Sequence, residues 1–159
     1  MQSLKFTHYD IVFQEVPNET TLVFNISGCP HKCEGCHSSY LGEYVGEYLL
    51  DNIEDIVSKY EDKVTCVCFM GGDQNLIELE KCLTIVKEHS LKTCVYSGAD
   101  ELDLFRPLFF LLNYLKIGRY NQLLGGLDKS TTNQIFYQIE HEKQYNLTDK
   151  TYLFRKDTQ

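Results

Sequence analysis

The chain of 159 residues carries a formal net charge of −8 and seven cysteines. Its length indicates one domain that buries a hydrophobic core without cross-links. The negative charge argues against a nucleic-acid-binding protein, because clustered Lys and Arg side chains are needed to neutralise phosphates. Small molecules and other proteins are the expected partners.

The cysteines indicate a reducing compartment. Their number is odd, and the first residues, Met1 to His8, lack the continuous apolar core and the cleavage site of an export signal. We therefore expect free thiols and a cytoplasmic protein. The most apolar stretch, Leu108 to Leu115, contains Asn113 and falls short of the roughly 20 apolar residues of a membrane span. We expect no membrane association.

The apolar pattern predicts strands that alternate with helices. An edge strand is expected at 11–13, followed by strands at 20–27, 64–70, 93–96 and 114–117. Helical periodicity predicts helices at 51–60 and 76–89, and a shorter helix from about residue 100 is expected to break at Pro107. This order predicts a single-domain α/β fold whose last four strands are parallel.

A glycine follows each of the four predicted parallel strands: Gly28, Gly71, Gly98 and Gly118. Ligands of parallel α/β proteins bind at the carboxyl ends of the strands. The glycine-containing segments after the strands therefore mark the expected position of a binding site.

The pattern lapses beyond Gly118. Residues 121–134 are polar and contain glycine, and two extended segments, at 135–139 and 151–154, are predicted to form an antiparallel ribbon. We expect one domain over residues 1–159, with a core at about 20–118. The remaining 119–159 is expected to be a short irregular C-terminal extension that acts as a lid or docking segment.

Three cysteines lie within eight residues directly after the first parallel strand. Cys29, Cys33 and Cys36 have the spacing Cys-x3-Cys-x2-Cys. Iron–sulfur clusters are normally held by four thiolates, and a structural zinc ion by four ligands. Three local thiolates therefore predict a metal centre with an open position. The alternative is a zinc site completed by His31 or His37.

The remaining cysteines fall at predicted core positions and are expected to be small buried apolar side chains. They are Cys66, Cys68, Cys82 and Cys94. Three histidines outside the cysteine segment are expected at the surface, namely His8, His89 and His141.

The cysteine spacing at the end of a strand resembles the cluster motif of the radical S-adenosylmethionine (SAM) family. The resemblance implies a partial parallel (β/α) barrel, a 4Fe-4S cluster held by Cys29, Cys33 and Cys36, and SAM bound to the fourth iron. His37 stands where the family usually has an aromatic residue near the adenine, which is a departure. Gly71-Gly72-Asp73 looks like the glycine-rich motif that binds the amino group of SAM.

Further positions follow from the same resemblance. Tyr96 and Ser97 occupy the corresponding place on the third parallel strand, and we expect them to contact the ribose. Lys116 and Arg119 are candidates for pairing with a cofactor carboxylate, although a solvated pair is an equally good interpretation.

Within the family, the short chain is similar to the activases of anaerobic ribonucleoside-triphosphate reductases. The similarity lies in the cysteine segment, Gly71-Gly72-Asp73, residues 114–120 and residues 124–134. It implies that a reduced cluster cleaves SAM to methionine and a 5′-deoxyadenosyl radical, which generates a glycyl radical on the large subunit of the reductase. A flavodoxin-like or other low-potential reductant is the implied electron donor. Since cluster and SAM carry the chemistry, no catalytic side chain is predicted.

Two alternatives remain open from the sequence. One is an activase of another glycyl-radical enzyme, such as pyruvate formate-lyase. The other is a non-catalytic iron–sulfur or zinc-binding interaction module.

Overall fold

The structure, a computed structural model, describes residues 2–31, 42–142 and 144–155. The strands are β1 (Lys5–Phe13), β2 (Thr20–Ile26), β3 (Glu47–Tyr48), β4 (Cys66–Met70), β5 (Lys92–Tyr96), β6 (Tyr114–Ile117), β7 (Ile135–His141) and β8 (Tyr145–Asp149). The helices are α1 (Leu49–Tyr60), α2 (Leu76–Glu88) and 3₁₀ helices at Leu102–Leu111 and Thr151–Phe154. None of the helices in the described ranges combines the length and the apolar character that crossing a membrane would require.

The strands form one mixed sheet in the order β3-β1-β2-β4-β5-β6-β7-β8. Its centre, β2-β4-β5-β6, is parallel, and β1 and β7 join it in antiparallel pairings. The predicted α/β class and the four parallel strands in chain order are therefore confirmed. The sheet is open, with β3 and β8 at its two edges, so it is not a closed barrel.

Both faces of the parallel centre are buried, as its continuous apolar sequences predict. One face packs against α1 and α2, where Phe24 and Phe69 of the sheet share a cluster with Ile53 and Leu83 of the helices. On the other face, a second cluster contains residues from the loop after β1, from the strands and from the C-terminal region: Val16, Val23, Cys66, Cys68, Cys94, Tyr114 and Phe136. Both α1 and α2 therefore pack on the same face of the sheet.

The C-terminal region is more regular than expected. β7 confirms the predicted strand at 135–139, whereas its partner is β8, and the predicted strand at 151–154 is a 3₁₀ helix. The Asp149 side chain explains this turn, because its Oδ1 accepts hydrogen bonds from the Thr151 amide (2.9 Å) and hydroxyl (2.6 Å). An aspartate that binds the backbone two residues onward ends a strand and starts a turn.

His89 joins the two α-helices. Its Nε2 lies 2.9 Å from Glu54 Oε1, and its Nδ1 hydrogen-bonds to Glu61. Its side chain is 14 % exposed, so His89 lies at the surface between the two helices but is partly shielded from water. The hydrogen bond to Glu61 raises the pKa of His89, Glu54 adds to the effect, and burial opposes it.

We predict that His89 makes folding stability depend on pH. A raised folded pKa means that its contribution is complete below the unfolded pKa of about 6.5 and is lost as the pH rises through the folded pKa. His89→Gln should therefore lower the Tm more at about pH 6 than at about pH 9, measured by circular dichroism without oxygen. His8→Gln, at an exposed side chain, is the control. An equal loss at both pH values for His89→Gln would contradict the prediction.

Candidate metal centre

The parallel strands end side by side, and hydrogen bonds join the segment that follows one strand to the end of the next strand. Gly71 N donates to Tyr96 O (2.8 Å), and Ser97 N donates to Lys116 O (2.9 Å). The backbone at this end of the sheet is therefore held in a fixed arrangement. We refer to it as the carboxyl edge, which comprises residues 27–31, 71–74, 97–99 and 118–119.

The residues that flank the three-cysteine segment in the sequence lie next to each other at the carboxyl edge. Gly28 N donates to Glu43 O (3.2 Å). The buried Ser27 hydroxyl donates to Val45 O (2.5 Å) and accepts from Val45 N (3.2 Å). These bonds hold the residues on either side of the segment together at the carboxyl edge, and we call residues 29–42 the cysteine loop.

Cys29 is the predicted ligand that falls within the described residues, where it is a half-buried free thiol. Cys33, Cys36 and His37 lie outside the described residues. Within the ranges that the structure describes, no group of three or more His, Cys, Asp or Glu side chains is placed to hold a metal ion. The three-cysteine ligand set therefore stays a prediction.

The other cysteines are buried, as expected, and their chemistry suits a structural role. Burial raises the pKa of the Cys82 thiol to about 12 and raises the pKa values of Cys66 and Cys94 well above the ordinary range. Metals bind thiolates, so thiols that resist ionisation are poor ligands. The half-buried Cys29 fits a cluster ligand better than these buried thiols.

Gly71 and Gly72 carry the chain out of β4 toward β5. Their φ angles are +108° and +107°, values that side chains other than glycine rarely allow. A Cβ on Gly72 would also lie 3.1 Å from Leu79 of α2. These two residues therefore place Asp73 over the end of the neighbouring strand.

Asp73 is the centre of a polar cluster that spans three segments of the carboxyl edge. His31 Nε2 donates to Asp73 Oδ2 (2.7 Å), and the Ser97 hydroxyl donates to the same oxygen (3.0 Å). The Asp73 side chain is 6 % exposed and that of His31 is 14 % exposed. The structure thus brings together two predicted site residues, Asp73 and Ser97, with a histidine from the cysteine loop.

Tyr96 points away from this cluster. Its hydroxyl donates to the carbonyl of Glu15, and its ring lies against Phe136 on the opposite face of the sheet. Burial raises the pKa of Tyr96 well above its ordinary value. The structure does not place its side chain beside Asp73, and its contact with a ribose remains a prediction.

Lys116 and Arg119 differ in their surroundings. The Lys116 ammonium donates to the carbonyls of Ser97 (3.1 Å) and Gly118 (3.3 Å), which anchors it to the carboxyl edge. Arg119 is exposed, and its backbone amide donates to Asp100 Oδ1 (2.8 Å). A role for either side chain toward a cofactor carboxylate remains a prediction.

Two residues of the carboxyl edge were not identified as site residues in the sequence. The sequence indicates His31 only as an alternative zinc ligand. Gln74 accepts from Gly72 N (3.2 Å) and donates to Ser27 O (3.0 Å), so it ties the segment after β4 to the segment after β2. The available signal was positional, since both residues lie within a few positions of a predicted strand end.

A cavity of about 500 Å³ lies at the opposite, amino end of the parallel strands, beside Glu19. Burial alone would raise the pKa of Glu19, but hydrogen bonds lower it. They come from Lys92 Nζ (2.9 Å), Thr65 Oγ1 (2.8 Å) and Tyr114 OH (2.8 Å). This carboxylate is fully engaged by protein groups and acts as a structural anchor.

Comparison with known families identifies the cofactor class. Residues 19–103, more than half of the chain, match the family model described as a 4Fe-4S single cluster domain. The matched region contains the cysteine loop, Asp73 and Ser97. Searches of curated proteins and of solved structures found no match. The family thus supports the iron–sulfur cluster that the cysteine spacing predicts.

We predict that the anaerobically reconstituted protein binds about four iron and four sulfide ions per chain. Cys29→Ala should lower the iron content several-fold, because it removes one of three local thiolates. Cys82→Ala is the matched control and should retain the cluster, since its buried thiol is not a ligand. Iron and sulfide analysis with visible absorption provides the measurement. Full iron content in Cys29→Ala would contradict the assignment.

Proposed function

Because the chain belongs to the 4Fe-4S single cluster domain family, we propose that it is a radical SAM activase. Its proposed target is the large subunit of an anaerobic ribonucleoside-triphosphate reductase, on which it generates a glycyl radical. The open sheet with four parallel strands corresponds, in this proposal, to the partial (β/α) barrel of radical SAM enzymes.

The proposal rests on one observation: the ends of three parallel strands lie together at the carboxyl edge. A half-buried free cysteine follows β2, a glycine pair and a carboxylate follow β4, and a serine follows β5. Three thiolates leave one iron of a 4Fe-4S cluster without a protein ligand. A small molecule with amino and carboxylate groups, such as SAM, suits that iron and the polar groups beside it.

Asp73 is the residue that we assign to the amino group of SAM. Its Oδ2 accepts hydrogen bonds from His31 and Ser97, so we assign the amino group to Oδ1. The backbone of Gly71 and Gly72 lacks Cβ atoms that would keep a ligand at a distance. When bound, the reduced cluster would supply the electron that cleaves SAM to methionine and a 5′-deoxyadenosyl radical, which takes hydrogen from a glycine of the reductase.

The C-terminal segment is the proposed docking region for the reductase. Gln134 donates to the carbonyl of Gly118 (3.3 Å), which holds the end of the 119–134 segment at the carboxyl edge. Leu123 in this segment is 94 % exposed, and the neighbouring Leu124 is also exposed. An exposed apolar pair suits contact with a partner protein. A flavodoxin-like or other low-potential reductant is the proposed electron donor.

The test of SAM chemistry is the formation of 5′-deoxyadenosine by the dithionite-reduced holoenzyme. Asp73→Asn should raise the KM for SAM by about 10-fold or more, because a hydrogen bond to a charged group is worth about 1.5–3 kcal/mol. Asp55→Asn, on the exposed face of α1, is the matched control and should behave as the wild type. A holoenzyme that forms no 5′-deoxyadenosine would instead be a non-catalytic iron–sulfur module.

The test of the target is electron paramagnetic resonance after the reduced enzyme is mixed with SAM and the reductase. We expect a glycyl-radical signal that requires SAM. An enzyme that cleaves SAM but gives no signal would contradict the assigned target and favour another glycyl-radical enzyme, such as pyruvate formate-lyase.

A further inference from the structure

We propose that His31 is a positioning residue that fastens the cysteine loop to the ends of β4 and β5 through Asp73. In this role the imidazole does not bind the cluster itself but holds the loop in the arrangement that the cluster requires. The inference rests on the proposed cluster ligands Cys29, Cys33 and Cys36, and it does not depend on SAM chemistry.

The hydrogen bond from His31 to Asp73 is short and shielded from water. The donor Nε2 and the acceptor Oδ2 are 2.7 Å apart, and both side chains are largely shielded from water. The Ser97 hydroxyl holds the same oxygen, and its own oxygen accepts from Ala99 N (2.9 Å). Ser97 therefore helps to orient the carboxylate toward His31. Hydrogen bonds to an ionised carboxylate are among the stronger ones in proteins.

Gly98 provides a second, independent contact for the imidazole. A Cβ added at Gly98 would lie 2.8 Å from both Cγ and Cδ2 of His31. Such a distance is too short for carbon atoms, so an alanine at this position would displace the ring. The glycine after β5 thus leaves the space that the His31 ring fills, and packing and hydrogen bonding place the ring together.

The position of His31 between two predicted cluster ligands explains why its contact with Asp73 would affect metal binding. A hydrogen bond from Gly28 N to Glu43 O joins the residues on either side of the loop. His31 lies two residues after Cys29 and two before Cys33, so its contacts fix the chain between two proposed ligands in the sequence. Contacts that orient metal ligands from outside typically change metal affinity by about 10- to 100-fold when they are removed.

The competing role for the same residue is direct ligation. Metal-bound histidines commonly donate their second ring N–H to a carboxylate, as His31 donates to Asp73. In that case its Nδ1 would complete a four-ligand site. A glutamine separates the two roles, because its side-chain amide can donate to Asp73 in place of Nε2 but cannot replace an imidazole as a metal ligand.

The experiment measures iron release from the anaerobically reconstituted protein to a ferrous-iron chelator, followed by the loss of visible absorbance. His31→Ala should lose iron about 10-fold faster than the wild type, whereas His31→Gln should release it at close to the wild-type rate. Gly98→Ala, which displaces the ring without removing it, should accelerate release by a smaller factor. His8→Ala changes a histidine on β1, outside the cysteine loop. It is the control and should leave the rate of iron release unchanged.

Three results would overturn the inference. One is a wild-type rate in His31→Ala. Another is equal acceleration in His31→Ala and His31→Gln together with a lower iron content, which would make His31 a ligand. The third is an unchanged rate in Gly98→Ala. If His31→Ala does not fold, the glutamine and Gly98→Ala variants still decide the question. Failure of the ligand assignment is distinguishable, because Cys33→Ala would then keep the full iron content.

Discussion

Parallel pairing of β2, β4, β5 and β6 is the constraint on which the candidate site depends. Parallel strands all end at the same edge of the sheet, so residues far apart in the sequence meet there. Cys29, Asp73 and Ser97 each follow a different strand, and the shared edge brings Ser97 within hydrogen-bonding distance of Asp73. Antiparallel neighbours would have placed these segments at opposite ends of the sheet.

The two ends of the parallel strands have different chemistry. At the amino end, three side chains engage the Glu19 carboxylate, which leaves it a structural role. At the carboxyl edge, glycines open the backbone, and Asp73 receives its two hydrogen bonds on one oxygen. A single carboxylate can therefore serve two purposes in our account, since one oxygen holds the cysteine loop and the other receives a ligand.

The architecture was largely predictable, because each parallel strand is a continuous apolar run that ends near a glycine. The contacts around His31 were not predictable, because periodicity does not show which side chains meet across 42 positions of the sequence. Tyr96 illustrates the same limit: it is the last residue of β5, as the sequence predicts for a strand at 93–96, but strand alternation turns its side chain to the opposite face. The helical turn at 151–154 depends on the side chain of Asp149, which an apolar pattern does not register.

The central claim is that the cysteine loop holds a 4Fe-4S cluster with one iron left open for a small molecule at the carboxyl edge. Mössbauer spectroscopy of the reconstituted protein, with and without SAM, tests it most directly. The account predicts that about one iron in four changes its spectrum when SAM is added, because the protein supplies ligands to the other three. A spectrum that is the same with and without SAM would show that no iron is open to this cofactor and would contradict the account.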